Sequence, residues 1–277
     1  MTTSSPVVRR RRLGLELKRL REGVGLKGND AAKSLKWSAS KLSRLEAGRS
    51  TPTPADVTKL LDLYQLNDEA QREKLAILTK EARKKGWWQL YSDIPYTTFI
   101  GLEAEAETIL TYETVIPGLL QTSQYAEAIN RATGPGLTDE ALEQRLDVRM
   151  QRQQLLTQHN PIQLRAVLDE SALCRMVGGP EVMRAQLAHL LDMADSPNVL
   201  LQAIPFSIGA HPGTLVGPFV ILRFAHPEDP DVVYVEANAD PYVGNLQEHE
   251  VLFDNLRANA ISVPQTLEMI RSRMREL

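Results

Sequence analysis

Cysteine is almost missing from this chain, with one, Cys174, among 277 residues. A single thiol excludes an internal disulfide framework and any cysteine-rich zinc site, and it suits a reducing compartment. Long apolar runs are missing as well, since no stretch approaches the roughly 18 residues of a membrane-spanning helix. The N-terminal region carries Arg9 to Arg12 and no apolar segment resembling a signal peptide, so a cytoplasmic protein without membrane contact is expected. The usual signatures of catalysis are lacking too. There is no H-E-x-x-H, no cysteine pair and no G-x-G-x-x-G, and the glycine-rich "SIGAHPGTLVGPF" does not end in the Lys-Ser/Thr of a phosphate loop. The expectation is a protein that is not an enzyme and needs no cofactor or metal.

Lysine also disappears, the last being Lys85. Before Gly86 the chain has 20 Lys+Arg against 10 Asp+Glu, a net charge of +10; after it, 12 against 25, a net charge of -13. Such asymmetry points to a basic module (residues 1–85) that meets a polyanion and an acidic module (residues 86–277) with a different task. The plainer reading is that the basic residues only solubilise a small domain. With 43% hydrophobic residues the chain can build two cores.

In the basic part, "RRRLGLELKRLREGVGL" places Leu13, Leu17 and Leu20 at helical spacing, with Gly23 and Gly25 as a stop. A second helix follows from Lys27 to Lys36, with Ala31, Ala32 and Leu35 on its apolar face. Ser38 is placed to cap a third, anchored by Leu42 and Leu45, which leaves Ala39, Ser40, Lys41 and Arg44 outward. Gly48 closes it, and "PADVTKLLDLYQL" makes a fourth, followed by a connecting helix in "DEAQREKLAILTKEARKKG". Short helices, a tight turn and a basic outer face make a helix-turn-helix unit of four or five helices. A helix fits the major groove of B-DNA, where Arg or Lys can bond guanine edges and short side chains permit close approach. Lys27, Lys33, Lys36 and Arg49 add contacts to phosphate. A packing module that never touches DNA is the alternative.

Residues 13–66 resemble the helix-turn-helix domain of phage-repressor-like (xenobiotic response element, Cro/C1-type) transcription factors, through "GLKGNDAAKSLKWSASKLSRLEAGRSTPTPADVTKLLDLYQL". The resemblance implies that Ala39, Ser40, Lys41 and Arg44 face the bases. It also implies that Arg21 and Glu46 form a buried ion pair joining the first helix to the recognition helix. Gly28 departs from the family pattern, in which a Gln or Ser side chain touches the backbone phosphate there; the glycine keeps only its amide. Asn29 and Asp30 make a more polar start to the second helix than is usual in that family.

Beyond residue 86, Leu102, Ile109 and Leu110, then Tyr125, Ala128 and Ile129, then Leu142, Leu146, Met150 and Leu155 repeat at helical spacing as far as His159. Past Pro161 four extended runs appear: "IQLRAVL", "NVLLQAIP", "GPFVILRF" and "VVYVEA". Helices are expected at Pro180 to Ala194, Leu246 to Ala260 and Pro264 to Glu276. The fold class expected is therefore mainly α with α+β, the second domain holding a small, largely antiparallel sheet. Trp87 and Trp88 at the junction are expected to pack one domain on the other. Cys174 reads as a buried structural thiol, His211 as a loop residue, and the carboxylates of "HPEDPD" and "QEHE" as loop and helix-start groups.

This remainder resembles the C-terminal domain of actinobacterial Scr1-type antitoxin-like regulators, through "LEAEAETILTYETVIPGLLQTSQYA", "RLDVRMQRQQLL", "GGPEVMRAQLAHLL" and "VVYVEA". That implies a regulator often encoded beside a small partner protein that it binds. Two readings follow. In one, a sequence-specific regulator binds double-stranded DNA as a homodimer, because a single recognition helix contacts too few base pairs. In the other, the acidic domain is the working part, sequestering a small partner, with DNA binding for autoregulation.

Overall fold

The computed structural model describes residues 5–91, 94, 96–235 and 245–277. It divides into two compact units. Unit 1 comprises Met1–Leu90, Tyr96–Glu105 and His226–Asp229; unit 2 comprises Tyr91–Pro95, Ala106–Ala225 and Pro230–Leu277. The division expected after residue 85 thus falls later in the chain, and two later segments join the first unit.

Unit 1 is built from α1 (Pro6–Gly23), α2 (Gly28–Ser34), α3 (Ala39–Glu46), α4 (Pro54–Leu63), α5 (Glu69–Ala82) and α6 (Thr97–Glu103). Each turn of the chain has its own chemistry. The Ser38 hydroxyl accepts the Lys41 amide at the start of α3, Thr53 and Asp56 form a reciprocal capping box around α4, and Asp68 caps α5. These caps satisfy amides that a helix start leaves without partners. Leu13, Leu17, Ala31, Ala32, Leu42, Val57, Leu60, Leu61, Tyr64 and Leu75 fill the core between the helices. Gly14 is needed for that packing: a Cβ there would lie 2.5 Å from the carbonyl oxygens of Leu45 and Glu46. The backbone of α1 therefore rests directly on the end of α3. Trp88 is buried within unit 1, edge-on to Trp87 at 5.8 Å. Within unit 1, Trp88 lies against Gly101 of α6, where a Cβ would be 2.8 Å from its ring.

Unit 2 runs β1 (Thr108–Glu113), α7 (Ser123–Thr133), α8 (Asp139–Gln153), β2 (Gln163–Asp169), α9 (Glu170–Cys174), α10 (Pro180–Ala194), β3 (Val199–Ile204), α11 (Gly213–Val216), β4 (Phe219–Arg223), β5 (Val232–Tyr234), α12 (Leu246–Asn259) and α13 (Val263–Glu276). The sheet order is β3-β2-β1-β4-β5. Strand β1 pairs parallel to β2 and β2 parallel to β3, while β1 with β4 and β4 with β5 are antiparallel. The sheet is thus mixed, correcting the expectation of a largely antiparallel one. Helices occupy the connections from β1 to β2 and from β2 to β3, and a connection of that length returns the chain to the same end of the sheet.

The second correction concerns "TILTYE", read as helix and found as β1, the central strand. Leu110 and Tyr112 point to one face with Val167, Ile204, Phe219 and Ile221, where Phe253 and Leu256 of α12 cover them. Ile109 and Thr111, on the other face, are buried as well. At the β3 edge, the Ile261 amide donates to the Ala203 carbonyl at 2.8 Å and the Ala203 amide to Thr266 Oγ1 at 3.0 Å. Those bonds occupy ladder groups that an edge strand would otherwise offer to another chain. Of "VVYVEA", Glu236 and Ala237 lie outside the described residues.

Candidate nucleic-acid interface

The outer face of α3 is set by what holds its inner face. Leu42 and Leu45 are buried, and Glu46 meets Arg21 of α1 side by side, with Nε to Oε1 at 2.6 Å and Nη2 to Oε2 at 2.9 Å. The remaining Arg21 nitrogen, Nη1, donates to the Leu26 carbonyl at 2.6 Å, so the same guanidinium fixes the turn before α2. Hydrogen bonding to Glu46 is the largest influence on Arg21 and raises its pKa, keeping the charge in place despite burial. A planar, bidentate pair between buried side chains orients α3 on α1 more tightly than a point contact would.

With the inner face fixed, Ser38, Ala39, Ser40 and Arg44 are exposed. Lys41 is only partly so. Its ammonium lies 2.7 Å from Asp56 Oδ1 and 3.8 Å from the centre of the Trp37 ring. Asp56 is also bonded by Thr53; burial pulls its pKa up, but the Lys41 and Thr53 hydrogen bonds outweigh that and leave it lowered. Lys41, placed outward by its position on α3, thus has a partner within the protein as well, a part-buried pair that ties α3 to α4 while its side chain stays 38% exposed. The signal for this was present in the sequence, because Thr53-x-x-Asp56 is a capping box that places a carboxylate at the start of α4.

Around this helix, Lys27, Lys33, Lys36 and Arg49 are exposed. Lys36 adopts a positive φ of 57° in the turn between α2 and α3. Gly28 begins α2 with open space where a side chain would be, so its lack of a side chain is not forced by packing. Not all the basic charge faces outward, however. Arg9 is bonded to Glu105, and Arg12 binds Asp229 through both Nε and Nη2; these partners lie far away in sequence but within unit 1. Asp229, one of the "HPEDPD" carboxylates read as a loop group, is buried on this cluster.

Residues 12–75 match a family described as a helix-turn-helix domain. Residues 96–272 match a family described as a domain of unknown function, DUF5753. The chain belongs to the DUF5753 family. No curated protein and no solved structure matches it. A helix-turn-helix domain marks a DNA-binding regulator, and α2, α3 and α4 lie wholly within the matched residues.

In the DUF5753 portion the polar residues singled out from sequence are dispersed among different settings. Cys174 is half-buried, less so than expected, and accepts hydrogen bonds from Arg273 of α13, so the thiol sits beside a cation. His211 has a buried ring whose Nε2 lies 3.4 Å from Asp169 Oδ2, with Tyr112 edge-on at 5.9 Å. Burial, with a smaller influence from Asp169, pushes the Tyr112 hydroxyl up to about 12. His249 stacks edge-on against Phe219 and its Nδ1 is 2.8 Å from the Asn245 carbonyl, while His226 accepts the Glu228 amide. Among the described residues, no group of three or more His, Cys, Asp or Glu is arranged to hold a metal ion, and no helix is long and apolar enough to cross a membrane.

Proposed function

We propose that this protein is a sequence-specific transcriptional regulator of the phage-repressor type that binds operator DNA as a homodimer. The observation that carries the reading is the contrast between the two faces of α3. Its inner face is locked by Leu42, Leu45 and the Arg21–Glu46 pair, and its outer face presents small side chains beside Arg44. Ala39 and Ser40 let the helix approach base edges, and Arg44 has the length and the planar fork to bond guanine O6 and N7. Lys27, Lys33, Lys36 and Arg49 then supply the salt-dependent contacts to phosphate. Two such helices, held by a two-fold axis, would read half-sites about one turn of DNA apart.

The C-terminal part is proposed to bind a partner protein and to do no chemistry. Exposed Phe206 and Ile208 in a single helical turn after β3, with Leu215 and Val216 of α11, support an interaction surface on the segment between β3 and β4, and Leu215 is 95% exposed. An antitoxin-like role, in which that surface sequesters a small partner, is compatible with DNA binding by unit 1. The experiment is selection of bound duplexes from a random pool by the purified full chain. Enrichment of a two-fold symmetric site with half-sites about 10 base pairs apart is expected. Recovery of no common sequence would sink the reading.

A further inference from the structure

Between α1 and α5 of unit 1 runs an open groove of about 870 Å³. Leu15 of α1 and Ile77 and Leu78 of α5 line it, and they are left uncovered: Leu15 is 39% exposed and Ile77 57%. On the inner side of the same helix Leu75 belongs to the buried core, so α5 carries apolar residues on a second side that unit 1 itself does not cover. A plainer explanation is that single exposed apolar side chains are ordinary on a protein surface. It would suffice for Leu15 or Ile77 alone. It does not account for apolar residues of two helices lining one groove.

The charges around the groove decide what fits it. Its lining holds four cationic side chains and four carboxylates, so it has no net sign. A groove for DNA or another polyanion would be cationic, and one for a basic partner acidic. A surface that meets a copy of itself across a two-fold axis needs both signs, because residue i of one copy contacts residue j of the other, and j contacts i. The arrangement on α5 has that property. Lys74, Ile77, Leu78 and Glu81 stand at i, i+3, i+4 and i+7 and therefore share one face of the helix. Lys74 lies three residues before Ile77, and Glu81 three residues after Leu78. Two antiparallel copies of α5 crossing between Ile77 and Leu78 thus set the apolar residues against each other and place each Lys74 opposite the other copy's Glu81. Lys74 forms no ion pair among the described residues. Glu81 is held by Lys84 at 2.6 Å, an exposed pair that constrains it weakly, while Arg12 with Glu228 and Arg19 with Glu16 are paired within unit 1.

We infer that the α1–α5 groove, centred on Ile77 and Leu78, is where a second copy of this chain docks, in a two-fold contact closed by Lys74 and Glu81 of opposite copies. The inference rests on the reading of the protein as a homodimeric DNA-binding regulator, and it names the surface that holds the dimer together. The position suits that task. Leu15 also lines a neighbouring groove with Ala39 and Ser40 of α3, so a copy seated on α1 and α5 stands next to its mate's recognition helix.

The test is sedimentation velocity of the full chain over a concentration series, alone and with the selected duplex. Ile77→Glu alters an exposed side chain and should weaken self-association by about tenfold or more, because it puts an unpaired charge into the apolar centre of the contact. Lys74→Glu sets like charges opposite each other twice in every dimer and should weaken it as well. The double variant Lys74→Glu/Glu81→Lys restores opposite signs and should recover the association that Lys74→Glu loses, a rescue that general damage to the fold does not give. On the duplex, Ile77→Glu should fill the half-sites one at a time. Unchanged association of Ile77→Glu, or a double variant no better than Lys74→Glu, would overturn the inference and leave the homodimer to another surface. An unaltered protein that stays monomeric both in solution and on the duplex would overturn the homodimer reading along with it.

Discussion

In unit 1, the core leucines of α1 to α5 find their packing partners within one short stretch of chain: Leu13 and Leu17 meet Leu42, Val57 and Leu60. In unit 2 the partners are remote, with Ile109 of β1 lying beside Leu164 of β2 and Leu222 of β4. The difference matters for what can be read and what can be broken. Local helices carry their own start signals, such as Ser38, Thr53 and Asp68, and a periodic apolar face. A central strand carries neither, because both of its faces are buried and the alternation that would mark it vanishes.

Removing Glu46 should have the largest effect. Glu46→Ala leaves the Arg21 guanidinium buried without its partner, and the expected loss is about 3–5 kcal/mol of unit 1 stability. Calorimetry of the full chain should show an early transition from unit 1 and a later one from unit 2; a single unmoved transition would mean that the pair contributes nothing. The counterpart in unit 2 is Leu110→Ala on β1, a cavity worth about 2–5 kcal/mol. It should shift the unit 2 transition and leave duplex binding by unit 1 intact. Loss of DNA binding in that variant would break the comparison, by showing that the two units do not act separately.

Smaller effects sharpen the picture of the recognition helix. Arg44→Ala should cost about 1–3 kcal/mol and relax preference at one base position, measured by gel shift against single-base variants of the selected duplex. Lys41 should behave differently. Because its ammonium is already paired with Asp56, Lys41→Met should leave the salt dependence of DNA binding unchanged and cost at most about 1 kcal/mol of stability. A slope lowered by about one would instead return Lys41 to the DNA-facing set.

The same pair gives a pH dependence. The Asp56 pKa is lowered on folding, so its contribution is present above the unfolded value of 3.8 and disappears as pH falls through the folded value. Acid titration of the unaltered protein should therefore lose a small increment of unit 1 stability below that value which Asp56→Asn lacks. Equal acid sensitivity in both would show that the Lys41–Asp56 pair adds no measurable stability.

What was legible in the sequence followed from local chemistry. The limits of α3, the core leucines and the capping residues of unit 1 are set by interactions within a few turns of chain. The strands "IQLRAVL", "NVLLQAIP" and "GPFVILRF" could be read because their short apolar runs are bounded by breakers. The error at β1 has a physical cause. Leu102, Ile109 and Leu110 fall at helical spacing by coincidence, and a short apolar run without alternation cannot be told from a buried helix segment. The parallel pairing was within reach, since the Pro180–Ala194 helix between two strands implies a crossover.

Charge shows the division most clearly. The residue types alone determined that the N-terminal part would be basic and that its helices would leave Arg44 outward, because composition and periodicity are properties of neighbours in the chain. Only the tertiary structure decided which cations remain available. It turned Lys41 onto Asp56 and Trp37 and sank Arg9 and Arg12 onto Glu105 and Asp229. A charge is cancelled by whatever lies within a few ångströms, and distance along the chain says nothing about that separation once the chain has folded.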